Sequence, residues 1–364
     1  MQNKLDVAIL GATGAVGQRF IQLLENHPWM KVSAVVASDR SAGKPYSEAA
    51  NWVLSGAPPP DVAAMEVLPL DADPGTPLIF SALPSGIAGE RELELAGAGY
   101  VVCSNVRVHR LTPDVPLLIP EVNSDHVALV DVQRANRGWT TGALVTSPNC
   151  TSTPVVMALA PLIPFGVSKI HAVSMQAVSG AGHPGVSSLD IFDNVVPYIP
   201  GEEEKLQPEA GKMLGALTDG KIQPLEAVYS MACNRVPVLD GHLVAMSIAL
   251  DAQPSLAEIH EAWANWTGPE IVSGLPFAPE VPLMIATRPD RPQPRRDRDA
   301  GNGMSTVVGR LRECPILGYK FLTMAHNTVR GAAGGAILNA ELMIAEGYVD
   351  GVSVESFDTA SIAG

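Results

Sequence analysis

A turn with three glycines, Gly11-Ala12-Thr13-Gly14-Ala15-Val16-Gly17, follows at once on the apolar run Leu5 to Leu10 and leads into residues of helical period. Gly11 permits the tight turn, Gly14 lets phosphate oxygens reach the backbone, and Gly17 lets the helix lie close to the strand. The helix N-terminus then offers free N–H groups to a pyrophosphate. A glycine triad alone says little, but one seated between a first strand and a first helix is in the context of a dinucleotide fold. Val16, Phe20, Leu23 and Leu24 continue at helical spacing as far as His27-Pro28. Lys31 to Ala37, Pro77 to Leu83 and Tyr100 to Cys103 read as further strands, with a helix from Ile87 to Ala96. Such alternation makes residues 1 to about 133 a Rossmann-type parallel sheet with helices on both faces. Thr13, Ala15 and Val16 join the glycines as cofactor contacts.

The second strand ends in Ser38-Asp39-Arg40-Ser41-Ala42-Gly43-Lys44. Asp39 stands roughly 20 residues past the turn, where an acid would bind a ribose 2′-hydroxyl and favour NAD. Arg40, flanked by Ser38 and Ser41, is instead what holds a 2′-phosphate. The guanidinium and two hydroxyls outweigh one acid, so NADP(H) is the expected cofactor.

At 364 residues the chain exceeds one hydrophobic core, and two domains are expected. From Gly142 the texture changes to longer strand-like runs, Lys169–Ala177 and Leu243–Leu250, suited to an α+β domain with a largely antiparallel sheet. The Pro-, Arg- and Asp-rich stretch Thr287–Gly303 reads as an exposed loop: a disordered linker, or a contact between lobes or subunits. Gly331 to Gly347 is again helical in period. A net charge of −14 argues against nucleic acid and anionic membranes as partners. No run approaches the roughly 18–20 apolar residues of a membrane span, and the N-terminus carries no signal-peptide pattern, so a cytoplasmic protein is expected. Cys103, Cys150, Cys233 and Cys314 form no CxxC pair, which suits reduced thiols and neither disulfide nor metal site.

One cysteine stands apart. In Ser147-Pro148-Asn149-Cys150-Thr151-Ser152-Thr153-Pro154, Pro154 is suited to the first position of a helix. Cys150 would then sit just ahead of a helix N-terminus, where the macrodipole and free amides lower a thiol pKa and can hold an oxyanion. A buried, inert thiol is the commoner fate of a cysteine, and the apolar settings of Cys103, Cys233 and Cys314 fit it. Cys150 lies among Ser, Asn and Thr. A nucleophilic cysteine beside a nicotinamide implies a thioester reduced to an aldehyde.

With these residues in hand, the chain resembles the aspartate-semialdehyde dehydrogenases of the archaeal and fungal type. The resemblance is carried by GATGAVG, ASDRSAGK, SNVRVHRLTPDVPLLIPEVN, SPNCTST, MQAVSGAGHPG, IPGEEEKLQPEAGKMLG, NRVPVLDGH and HNTVRGAAGG, from position 11 to 335. It implies Cys150 as nucleophile and His242 as general acid/base, an imidazole being able to relay protons near neutral pH. It also implies substrate contacts from Gln176, Asn149 and Arg235, the last clamping an α-carboxylate. Arg110 would bind phosphate, while Glu209 would meet the substrate amino group and Lys212 the phosphate. The run Glu202–Lys205 offers the same Glu-x-x-Lys spacing. For the cofactor it implies Ser38, Arg40 and Ser41 on the 2′-phosphate, Ser81, Ser85 and Gly180 along the cleft, and Asn327 on the carboxamide. The C-terminal helix would return to the nucleotide domain, giving 1–133 with 330–364 as that domain and 134–329 as the catalytic and oligomerisation domain.

The implied reaction is NADPH-dependent reduction of L-aspartyl 4-phosphate to the semialdehyde and phosphate, in lysine, threonine and methionine biosynthesis, by a homodimer or homotetramer. Malonyl-CoA reductase is the rival reading, separated best by the polar Asn149 before the cysteine. N-acetylglutamyl-phosphate reductase ranks lower for want of its histidine segment. A nonenzymatic NADP-binding sensor would keep the glycine turn and lose the chemistry.

Overall fold

A computed structural model describes residues 4–352 and 354–357. The first six strands are β1 (Leu5–Leu10), β2 (Met30–Val36), β3 (Val67–Leu68), β4 (Leu78–Ser81), β5 (Val101–Ser104) and β6 (Ala143–Thr146). They form a parallel sheet in the order β3-β2-β1-β4-β5-β6. β4, β5 and β6 are buried at every residue because both faces are covered, while β2 alternates buried and exposed residues over its first half. Val7 and Ile9 of β1 face a core shared with Phe20 and Ile21 of the first helix (Ala15–Leu24) and with Ile337, Leu338 and Met343 of the C-terminal helix (Gly334–Ala345). Ala8 and Leu10 face the other side, against Ala88, Leu95 and Ala96 of the helix Ser85–Gly97.

This sheet extends beyond residue 133. β6 pairs with β5, so the nucleotide unit runs on to the turn bearing Cys150. The boundary drawn from the sequence fell short because a four-residue strand is too brief to show a period. Of the returning segment 330–364, residues 353 and 358–364 lie outside the described residues, as do residues 1–3.

The remaining strands are β7 (Val167–Gln176), β8 (Ala216–Thr218), β9 (Lys221–Gln223), β10 (Val228–Arg235), β11 (His242–Leu250), β12 (Leu283–Ala286), β13 (Thr306–Cys314) and β14 (Gly318–Ala325). Apart from the small β8–β9 hairpin they form a mixed sheet in the order β10-β7-β11-β14-β13-β12. Its central pairs are antiparallel and its two outer pairs parallel. One face is buried beneath the helices Ser152–Leu159, Glu203–Met213 and Leu256–Ala264. β11 alternates buried and half-buried residues along its length, as expected of a sheet covered on one side.

Thr287–Gly303 connects β12 to β13 and is ordered rather than a linker. It holds two short helical turns, Pro294–Asp297 and Ala300–Gly303. The Asp297 carboxylate accepts from the Arg291 guanidinium and from the Gln293 N–H. Arg298 donates to the Asp240 carbonyl at 3.3 Å, so the loop buttresses the turn that leads into His242. Among the described residues no helix is long and apolar enough to cross a membrane.

Candidate active site

Topology brings the chemistry together. Gln176 ends β7 and Arg235 ends β10, its parallel neighbour, in register with it. The antiparallel β11 begins with His242, so all three side chains stand at one edge of the second sheet. Cys150 meets that edge from the first sheet, in the turn after β6, with Sγ 3.2 Å from His242 Nε2.

The backbone closes tightly over this pair. A side chain at Gly331 would put its Cβ 2.7 Å from that of Cys150. One at Gly180 would fall 2.8 Å from Arg235 Nη1 and 3.0 Å from His242 Cε1. Gly180 therefore packs on the Arg235 and His242 side chains, an arrangement its assignment to the cofactor did not anticipate. The Ala177 backbone joins two of the three side chains from either side of its Cα: its N–H donates to His242 Nδ1 at 3.1 Å, and its carbonyl accepts from Arg235 Nη1 at 2.8 Å. Gln176 is buried and donates to Ser174 Oγ.

The electrostatics of Cys150 differ from the sequence expectation. The helix Ser152–Leu159 starts earlier than expected, with Pro154 as its third residue. Proline is tolerated there because first-turn N–H groups have no intrahelical acceptor. One amide expected to be free, that of Thr151, is taken by Asn149 Oδ1 at 2.7 Å. Burial pushes the Cys150 thiol up to about 12, with the Glu202 charge adding to it and Arg110 and Arg235 opposing. Burial, then Arg235 and His326, lower His242 to about 3.

Asn149, the residue before Cys150, lines a cleft with Val16, Ser85, Arg107, Arg110 and Lys205. Glu209 fastens two of these, accepting from Arg110 Nη1 at 2.9 Å and from the Asn149 N–H at 2.8 Å. Glu202 accepts from Asn149 Nδ2 at 3.0 Å and pairs with Lys205. Asn149 thus lines the cleft while its own groups fix the cysteine turn.

Lys212 is not in that cleft wall. Its ammonium donates to the carbonyls of Arg110, Thr112 and Val115 at 2.9, 2.8 and 2.6 Å, and burial lowers it to about 8. Lys212 shapes the Arg110 turn, and Lys205, ion-paired with Glu202, is the lysine that lines the cleft. The second Glu-x-x-Lys spacing is the one that reaches the cleft.

On the cofactor side Gly11 has φ +77°, and a Cβ there would lie 2.6 Å from the Ala82 carbonyl oxygen. No side chain caps the first helix, and Thr13, Gly14, Ala15 and Val16 are open while Gly17 is buried against the strand. Ser38 and Arg40 are exposed above β2, with Ser41 half-buried in the same turn. This cradle fits a dinucleotide with a 2′-phosphate. Ser85 lines the cleft, but Ser81 is fully buried at the end of β4, so the two serines do not act alike. Asn327 Oδ1 accepts from the Gly241 N–H and its Nδ2 donates to Ser179 Oγ, both at 2.8 Å. Its amide ties together the two loops around His242. Sequence reasoning missed Ala177 and Gly331. The first acts through backbone atoms that carry no residue signature, and the second stood in a run read only as helical in period.

Two family models match the chain: a semialdehyde dehydrogenase NAD binding domain over residues 6–130 and a semialdehyde dehydrogenase dimerisation domain over residues 159–330. The chain is 48% identical to the aspartate-semialdehyde dehydrogenase of Archaeoglobus fulgidus over 344 residues, 94% of this chain and 99% of that one. It is 39% identical over 357 residues to the malonyl CoA reductase (NADP) of Metallosphaera sedula, covering 96% and 99%. Among solved structures it is similar to the aspartate semialdehyde dehydrogenase with NADP from Candida albicans. That similarity has a TM-score of 0.87 and 37% identity over 95% of this chain and 100% of that one.

Proposed function

The chain belongs to the aspartate-semialdehyde dehydrogenases, a family of oxidoreductases, and we propose that it reduces L-aspartyl 4-phosphate to the semialdehyde and phosphate through a thioester on Cys150. The observation that carries this reading is the Cys150–His242 contact at 3.2 Å, met by two cleft cations, Arg110 and Lys205. The sulfur attacks the acyl carbon, and a guanidinium and an ammonium suit the phosphate that leaves. Arg235, anchored on Ala177, holds the α-carboxylate with Gln176 beside it. Glu202, whose charge reaches both Cys150 and Arg235, faces the amino group.

NADP(H) would be held by the amides of Thr13 to Val16 and by Ser38, Arg40, Ser41 and Ser85. The chemistry it supplies when bound is a hydride for the acyl carbon. The relative solved with NADP supports that cofactor. The match to a dimerisation domain supports a homodimer or homotetramer. The nucleotide domain is proposed as the chain up to the Cys150 turn, together with the segment from about 330. The product would feed lysine, threonine and methionine biosynthesis.

The malonyl CoA relative keeps a second reading in play, reduction of a thioester substrate. Asn149 and the paired cations of the cleft favour an acyl phosphate. The deciding assay runs L-aspartate semialdehyde with phosphate and NADP+, and malonyl-CoA with NADPH. Turnover of malonyl-CoA without turnover of the semialdehyde would reverse the assignment.

Lys205→Ala is expected to raise the KM for phosphate roughly 10- to 100-fold, the value of a lost charged hydrogen bond. Lys212→Ala should chiefly lower the melting temperature. The reverse pattern in phosphate titrations of the two variants would return the phosphate role to Lys212.

A further inference from the structure

We propose that Arg107 binds the phosphate of the substrate, as the cation of the cleft that no carboxylate among the described residues has neutralised. The proposal rests on the function proposed above and adds a residue to its phosphate site.

Three cationic side chains line the cleft with Asn149: Arg107, Arg110 and Lys205. Two already have acidic partners. Arg110 Nη1 donates to Glu209 at 2.9 Å, and Lys205 pairs with Glu202. Each pair is formally neutral, so neither leaves the cleft an excess of positive charge. Arg107 is exposed, and among the described residues no acceptor lies within hydrogen-bond or ion-pair reach of its guanidinium. The excess therefore rests on Arg107. An acyl phosphate or phosphate anion approaching a chain of net charge −14 is repelled at long range, and a local unmatched cation is what reverses that repulsion.

The fold holds Arg107 in place by fixing the residues on both sides of it. β5 ends at Ser104, whose Oγ donates to the buried Glu92 carboxyl at 2.7 Å and accepts from the Val106 N–H at 2.9 Å. Val106 itself is buried. Beyond Arg107, His109 Nε2 donates to the Gly89 carbonyl and Arg110 Nη2 to the Asn105 carbonyl, both at 2.9 Å. Gly89 and Glu92 both belong to the helix Ser85–Gly97. The turn is thus clamped to one helix, with exposed Arg107 and Val108 between buried ends. An anion binding there has only one side chain to order, and a planar guanidinium matches two phosphate oxygens at once.

Val16 and Ser85 line the same cleft, so the cofactor pyrophosphate is the other anion within reach. The amides at the start of the first helix already serve that group. The substrate phosphate, beside Asn149, meets two cations whose charge Glu202 and Glu209 have matched. The unmatched guanidinium is assigned to the substrate for that reason.

The test compares wild type, Arg107→Ala and Arg107→Lys in the phosphate-dependent oxidation of aspartate semialdehyde by NADP+. Arg107→Ala should raise the KM for phosphate about tenfold, the scale of one charged hydrogen bond. The KM for the semialdehyde should stay within about twofold, and so should NADPH affinity measured by fluorescence. Arg107→Lys keeps the charge and should recover most of the loss. Added salt should weaken phosphate binding more steeply in wild type than in Arg107→Ala. A phosphate KM changed less than about threefold in Arg107→Ala, or equal salt slopes, overturns the proposal. So does weaker NADPH binding with the phosphate KM intact, which would move Arg107 to the cofactor. A wild-type protein that turns over no semialdehyde sinks the function proposed above. Calorimetric titration of inorganic phosphate into wild type and Arg107→Ala then decides the site by itself: tighter binding by wild type upholds it, and absent or equal binding overturns it.

Discussion

Replacing Cys150 with serine is expected to lower turnover on the order of 10⁴-fold or more, with NADPH affinity unchanged to within about twofold. Serine keeps the size and the contact to His242 Nε2, so the fold has no reason to move. What goes is a polarisable nucleophile able to make a thioester, and a serine hydroxyl is a far weaker nucleophile. The cofactor cradle at Thr13 to Val16 and Ser38 to Ser41 belongs to other turns of the first sheet and is untouched. Steady-state absorbance at the NADPH band and a fluorescence titration of NADPH measure the two quantities. Activity above about one per cent of wild type would end the thioester route.

Glu209→Ala should have the largest effect on stability. Its carboxylate is buried and is the shared acceptor for Arg110 and the Asn149 N–H. Removing one partner of a buried ion pair leaves the other charge stranded, at a cost of about 3–5 kcal/mol. The stranded groups flank the nucleophile turn, so kcat/KM should fall together with stability. Glu209→Gln keeps an acceptor oxygen and should lie between the two. Urea unfolding followed by circular dichroism gives the free energies. A Glu209→Ala protein within 1 kcal/mol of wild type would show that this pair does not hold the turn together.

What the sequence made legible follows the range of the forces involved. The glycine turn, the first helix and β1 are local features, and their residues announce them. Cys150 stood out because its neighbours are polar. The lysine facing the cleft was hidden, since Glu202–Lys205 and Glu209–Lys212 lie two helical turns apart and so share a face. Which pair reaches the anion depends on how the helix Glu203–Met213 meets the first sheet, and spacing carries no trace of that. A helix terminus is visible in sequence, whereas the burial that pushes the thiol up is a property of the packed lobes. The contact that seats His242 Nδ1 is a peptide N–H, a group every residue but proline possesses.

The return of the C-terminal helix to the first sheet has a consequence for synthesis. Ile337, Leu338 and Met343 share a core with Val7 and Ile9, so the earliest strands wait for nearly the last residues. During translation the second lobe's final strand, ending at Ala325, leaves the ribosome before the first lobe can close. The nascent nucleotide lobe therefore spends most of elongation with an apolar flank uncovered, the state in which chains are most prone to aggregate and most in need of chaperones.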